Sequence, residues 1–292
     1  MSDATSGGVP VPRLTLNTGA EIPQVGVGVF QVPPEETAAN VVAALSAGYR
    51  SIDTATRYDN EPGVGEGIRD SGLDRDDLFV ATKLANPDQG YEEGLAAFDA
   101  SLAALGLDAV DLYLIHWPAP RRGRMLDSWR ALEEVYASGR AKAIGVSNFL
   151  PHHLDHLAAA SDTVPAVNQI ELHPYFQQRE LRALHAERGI VTEAWGPLGQ
   201  GTVLEDPVIV SIAERLGRSA AQVILRWHLQ LGTVVIPKSM NPLRLRENID
   251  ILGFELSADD MAGIDALDGT GEGDGRIGFH PDRFSGLPDD PK

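Results

Sequence analysis

Four side chains able to move or steer a proton, Asp53, Tyr58, Lys83 and His116, fall at or just past the ends of apolar runs. In SIDTATRYDNE (51–61) a strand-like start gives way to Asp53, Arg57, Tyr58, Asp59 and Glu61. A core strand has no packing use for so many polar groups at one end. The ordinary pKa of a tyrosine, about 10, is too high for an efficient proton donor at neutral pH. A nearby ammonium favours the phenolate and lowers that value, and Lys83 can supply it. Asp53 can hold Lys83 by ion pairing. A buried pair of this kind is a poor source of stability, which favours a functional reason for it. His116 can then orient or polarise a carbonyl oxygen beside the phenol. Together the four read as an acid poised to protonate an oxygen as negative charge develops there.

Something must bring these groups to one place. Eight strand-like runs recur, at 25–30, 50–55, 78–84, 110–116, 141–148, 166–172, 190–196 and 233–239. Most are continuously apolar, as parallel strands buried on both faces are. Helical segments alternate with them. One begins at Pro34 and stops at Gly48, with Ala38, Val41, Val42 and Leu45 on one face. Another places Leu95, Phe98, Leu102 and Leu105 at helical spacing and stops at Gly106. Before them, Leu14–Pro23 reads as a hairpin around Asn17-Thr18-Gly19. Eight alternations predict an α/β fold of the (β/α)₈ TIM-barrel type. A doubly wound sheet is the competitor, but neither VGVGVF (25–30) nor GVGEGIR (63–69) makes its glycine fingerprint. No linker divides the chain, so residues 1–292 are expected to form a single domain. Residues 1–10 are expected to be flexible, and 269–292 to form an extended loop over the barrel. Active sites of such barrels lie at the C-terminal strand ends. There the polar or aromatic residues recur: Asp53, Lys83, His116-Trp117, Ser147-Asn148, Asn168-Gln169, Trp195 and Lys238-Ser239.

Bulk composition narrows the class. The chain has no cysteine, which excludes disulfides, thiolate metal sites and cysteine nucleophiles, and fits a cytoplasmic home. No apolar run reaches a membrane span's length, and MSDATSGGVPVP has neither the basic nor the apolar region of an export signal. A net charge of -18 should repel nucleic acid, anionic lipid and any phosphorylated cofactor, unless basic residues gather at one place.

With these pieces in hand the chain resembles an aldo-keto reductase. The matching motifs are DTATRYDNE (53–61), ATKL (81–84), LIHWP (114–118), GVSNF (145–149), NQIELHP (168–174), GPLGQG (196–201) and IPKSMNPLRLREN (236–248), in the family's order. AWGPLGQG and GRIGFHPD bring it nearest the prokaryotic 2,5-diketo-D-gluconic acid reductase-like branch. The resemblance implies a barrel whose bottom is closed by the N-terminal hairpin, with NADPH bound extended across the strand ends. It implies hydride transfer to the carbonyl of an aldehyde, ketone or keto-sugar acid, with Tyr58 as proton donor, tuned by Lys83 and Asp53, and His116 orienting the carbonyl. It assigns Ser147, Asn148 and Gln169 to the nicotinamide carboxamide and Trp195 to its ring. Gly196 borders the cofactor, and Leu198, Gly199, Gln200 and Gly201 lie along its pyrophosphate. Lys238, Ser239, Met240 and Arg244 take the 2′-phosphate and adenine end, and Glu247 and Asn248 the adenine. Arg246 joins Lys238 and Arg244 in the basic cluster that the acidic surface requires. Phe30 and Trp117 are expected at the walls of an apolar substrate pocket. The branch suggests a monomer. Asn241-Pro242 stand where some relatives carry further basic residues, which bears on the preference for NADPH over NADH.

Blander readings stand beside these. Tyr58 alone is a loop tyrosine, Trp195 alone a core residue, and Lys238 and Arg244 a solvated helix start. His152 and His156 share a helical face in PHHLDHL (151–157), but no matching ligand set accompanies them, so no metal is expected. RRGR (121–124) is either a solvated loop or an attractor of carboxylate-bearing substrates. Two rival functions remain: a slow-turnover NADPH-binding regulatory module, and a metal-dependent barrel hydrolase. The hydrolase would need His and carboxylate clusters at several strand ends.

Overall fold

The computed structural model of the chain describes residues 10–288 and 290. The expectation for residues 1–9, and the last part of that for the tail, lie outside these. A hairpin of β1 (Arg13–Thr15) and β2 (Glu21–Pro23) pairs Leu14 with Ile22. Eight parallel strands follow: β3 (Val27–Gly28), β4 (Ser51–Asp53), β5 (Phe79–Leu84), β6 (Val110–Ile115), β7 (Ala141–Ser147), β8 (Val167–Glu171), β9 (Val191–Trp195) and β10 (Val234–Val235). They lie side by side in chain order, and a parallel bridge from Val25 to Val235 closes the sheet into a barrel. The helices are α1 (Pro34–Ser46), α2 (Glu61–Asp70), α3 (Glu92–Leu105), α4 (Met125–Ala137), α5 (Pro151–Ala158), α6 (Arg179–Arg188), α7 (Pro207–Leu216), α8 (Ala220–Gln230), α9 (Pro242–Ile249) and α10 (Ala258–Asp265). None among the described residues is long and apolar enough to cross a membrane.

The first and last barrel strands, β3 and β10, are the most shortened relative to their apolar runs. The run 233–239 pairs regularly only at Val234–Val235, because Pro237 has no N–H to continue a ladder. Its carbonyl still accepts from Gly28. In α1 the buried face is Thr37, Asn40, Val41, Ala44 and Leu45, with Ala38 and Val42 only half-buried. The helix is rotated towards α2, whose glycines explain the turn. A Cβ on Gly63 would come within 2.8 Å of Thr37 Cβ, and one on Gly67 within 2.7 Å of the Ala38 carbonyl. The glycine spacing of GVGEGIR thus serves close helix packing. In α3 Phe98, Leu102 and Leu105 are buried, and Gly106 ends the helix at φ 65°, a left-handed turn glycine adopts without steric cost.

Inside the barrel, residues alternate between core and helix layer. Leu16 and Ile22 of the hairpin pack with Phe79, Leu112, Val167 and Val234. Most of these lie near strand starts, so the hairpin plugs the lower mouth with an apolar layer. The upper end is different.

Candidate active site

Above the apolar layer the inward positions of four strands carry Asp53 (β4), Lys83 (β5), Gln169 (β8) and Glu193 (β9), all buried. Lys83 Nζ donates to Asp53 Oδ1 at 2.6 Å and to the Thr54 carbonyl at 2.9 Å. Gln169 Nε2 donates to Asp53 Oδ2 at 2.9 Å and to Glu193 Oε2 at 2.8 Å. Tyr58 ends a 3-10 turn (Thr56–Tyr58) that follows β4. Its ring centroid is 5.3 Å from Lys83 Nζ and 5.7 Å from the His116 ring, which stands edge-on at 76°. The structure therefore brings Asp53, Tyr58, Lys83 and His116 together. Asn168, beside Gln169, faces outward and hydrogen-bonds Phe149 and His185. Strand alternation separates the two neighbours.

The electrostatics differ from the simplest expectation. Burial raises the pKa of Tyr58, Lys83 pulls it back, and Asp53 and Glu193 push it up again, so the net direction is upward. Lys83 lowers it as expected, but desolvation outweighs the ammonium. At Lys83 burial works against the charge, yet Asp53 and Tyr58 leave its pKa raised, so it stays an ammonium. Burial, then Lys83 and Arg57, hold His116 well below the usual imidazole value. It is a neutral ring, and its Nδ1 has no partner among the described residues. A protonated phenol, a fixed ammonium and a neutral imidazole thus face one small volume.

The residues expected to hold a cofactor border this layer. Ser147 Oγ donates to the Gln169 carbonyl at 2.9 Å, and Asn148 Nδ2 donates to Ser147 Oγ and to the His116 carbonyl, each at 3.0 Å. Trp195 Nε1 donates to Asn148 Oδ1 at 2.8 Å. The loop after β9 has left-handed backbone at Gly196, Gly199, Gln200 and Gly201, and Leu198 packs on the core. Beyond β10 lie Lys238, Ser239, Met240 and, on α9, Arg244, Arg246, Glu247 and Asn248. Ser239 and Asn248 are buried. Asn40 of α1 donates to the Ser239 carbonyl at 2.8 Å. The side chains of Lys238, Arg244 and Arg246 are exposed and pair with no acid among the described residues.

Phe30, half exposed, leans on Tyr58 with ring centroids 5.0 Å apart. Trp117 packs edge-on against Phe284 at 4.8 Å, and Phe284 stacks on Phe279 at 4.4 Å. The tail therefore brings two aromatic groups to Trp117 that the sequence reading did not assign. It also missed Glu171, whose carboxylate accepts the backbone N–H groups of Ile277 and Gly278 at 2.6 and 2.8 Å. The RRGR loop belongs to the same fastening. Arg122 donates to the Ser285 and Gly286 carbonyls, Arg121 pairs with Asp290, and Arg124 pairs with Glu93. These arginines grip protein groups, a role additional to the solvated loop or cationic lure expected of them.

A histidine cluster also ties the tail. His152 Nε2 and His153 Nε2 lie 2.8 and 3.2 Å from Asp282 Oδ1. His153 Nδ1 accepts the Leu150 N–H, so in the neutral ring Nε2 carries the proton and donates to Asp282. Burial, then His152, hold the His153 pKa down at about 4. With this tautomer fixed, His153 offers no lone pair to a cation. His156, the partner weighed from helical spacing, is not part of the group.

Comparison with known proteins agrees with this geometry. The Aldo/keto reductase family profile matches residues 24–269. Morphine 6-dehydrogenase of Pseudomonas putida is 55% identical over 284 residues, covering 92% of this chain and 94% of its own. Glyoxal reductase of Bacillus subtilis is 52% identical over 270 residues, covering 92% and 96%. The crystal structure of a mutant Gox0644 in complex with NADPH superposes with a TM-score of 0.90 at 49% identity, covering 94% of this chain and 98% of that one. The chain belongs to the aldo/keto reductase family.

Proposed function

We propose that the protein is an NADPH-dependent reductase of aldehydes, ketones or keto-sugar acids, acting as one monomeric barrel domain. The observation that carries this reading is Lys83, fully buried, bonded to Asp53 and 5.3 Å from the Tyr58 ring. The donor set also fits the cofactor. Three cations without an acid partner among the described residues, Lys238, Arg244 and Arg246, suit a 2′-phosphate on a chain of net charge -18, and the mutant Gox0644 structure is an NADPH complex. When bound, NADPH supplies the hydride. Ser147, Asn148 and Gln169 would hold its carboxamide, and Trp195 would offer a flat face to its ring.

The chain's own groups do the rest. Tyr58 gives its proton to the substrate oxygen as charge develops there. Its raised pKa keeps the phenol protonated until that moment, and Lys83 stabilises the phenolate that results. Neutral His116 donates a hydrogen bond to the same oxygen and so orients the carbonyl. Phe30, Trp117, Phe279 and Phe284 form an apolar rim that favours substrates with a hydrophobic flank.

The test is loss of NADPH absorbance over a panel of aldehydes, a dione and a keto-sugar acid. Wild type is expected to consume NADPH with several of them. Tyr58→Phe should keep cofactor affinity and lose about 100- to 10,000-fold in kcat. Tight NADPH binding by the wild type without turnover would overturn the reading in favour of a binding module.

A further inference from the structure

The buried polar layer contains one carboxylate without a role in the reaction as derived above. Glu193 is 1% exposed and forms no ion pair among the described residues; its polar contact there is the Gln169 amide, at 2.8 Å. A buried carboxylate so placed contributes poorly to stability. An amide NH₂ has two protons, and Gln169 commits both, one to Asp53 Oδ2 and one to Glu193 Oε2. Turning the amide over would set its oxygen against two carboxylate oxygens. Oε1 is thereby fixed as the end left for a ligand, an acceptor only. Asp53 opposes the turned amide through one oxygen alone, its other being bound to Lys83, and Glu193 doubles that opposition.

We propose that Glu193 is a positioning residue of the reduction, fixing which end of the Gln169 amide meets the nicotinamide carboxamide and hence which face of the ring meets the substrate. The inference rests on the NADPH reading above. The charged and titratable groups facing Glu193 are Asp53 from β4, Tyr58 from the following turn and Lys83 from β5. Its register neighbours are Gln169 on β8 and Val234 on β10, both uncharged. Burial, then Asp53, push its carboxyl up to about 7, against the pull of Gln169 and Lys83. Its ionisation adds a negative charge that raises the Tyr58 pKa and so weakens the phenol as an acid. The residue therefore has a signature near neutral pH that a packing role lacks.

The experiment uses NADPH deuterated at one or the other C4 position, with Glu193→Gln and Glu193→Asp beside the wild type. A glutamine at 193 can face Gln169 with either end, so it removes Glu193's share of the polarity that fixes the amide. Wild type is expected to transfer from one face above about pH 7, where Glu193 is ionised, and to gain activity below it. Glu193→Gln should lose that limb, transfer from both faces and fall by up to about a hundredfold in kcat, with a smaller change in KM for the carbonyl. Glu193→Asp keeps the charge but withdraws it from the amide, so it should keep the limb and lose face selectivity. Wild-type selectivity in Glu193→Asp, or wild-type selectivity and pH profile in Glu193→Gln, would sink the proposal. Absence of turnover in the wild type itself would instead mark failure of the reductase reading.

Discussion

The indole N–H of Trp195 donates to the side-chain oxygen of Asn148, 2.8 Å away, and Asn148 holds a left-handed backbone at φ 64°. Asparagine tolerates that conformation better than most residues. Its amide then spans three elements, reaching Ser147 on β7, the His116 carbonyl after β6 and Trp195 on β9. Trp195→Phe keeps a flat face and removes the N–H. NADPH affinity should drop about fivefold, equivalent to about 1 kcal/mol, as measured by calorimetric titration. An unchanged Kd would mean that the tie does not hold the ring in its working position.

Removing Lys83 should separate stability from chemistry. Lys83→Met leaves Asp53 as a buried, unpaired carboxylate, at a cost of about 3–5 kcal/mol in unfolding free energy. The double variant Asp53→Asn/Lys83→Met should recover most of that stability in urea titrations, yet stay inactive. Activity in the double variant would show that neither charge serves Tyr58.

Acid sensitivity follows from the buried imidazoles. Burial, first among its causes, depresses His185 to about 4 and His228 to about 3. Both folded values lie below the unfolded 6.5. The stability they contribute is present above that pH and is lost on acidification, at about 1.4 kcal/mol per pH unit for each. Glu193 has the opposite sign: raised to about 7 from 4.5, its contribution is present at low pH and lost as pH rises through that window. The urea midpoint should fall between pH 6.5 and 4.5, and fall more steeply in Glu193→Gln. A flat midpoint would contradict neutral buried rings.

How much was legible beforehand depends on the kind of signal each residue gives. A lysine closing LFVATK, or a histidine closing DLYLIH, stands out against an apolar run, and the strand carries it to the barrel mouth. Glu193 sits in mid-run in IVTEAWG and shares its inward parity with Trp195, so alternation would have found it had the strand been read residue by residue. The rotation of α1 depends on how closely the glycines of α2 approach, which a single helix's periodicity does not contain. The tail is the hardest case. Glu171 grips backbone amides, not side chains, and a carbonyl or an N–H leaves no mark in the order of side chains.

That fastening also decides how the molecule can be handled. The described chain ends at Asp290, which pairs with Arg121 in the loop after β6, on the same side as Trp117 and Phe284. A fusion partner or surface tether joined there would stand beside the strand ends that carry Tyr58 and His116. The hairpin, by contrast, enters from the opposite mouth. Attachment ahead of Arg13 would leave the reactive end turned towards solution, which makes it the sensible choice for an electrode, a bead or a cofactor-recycling partner.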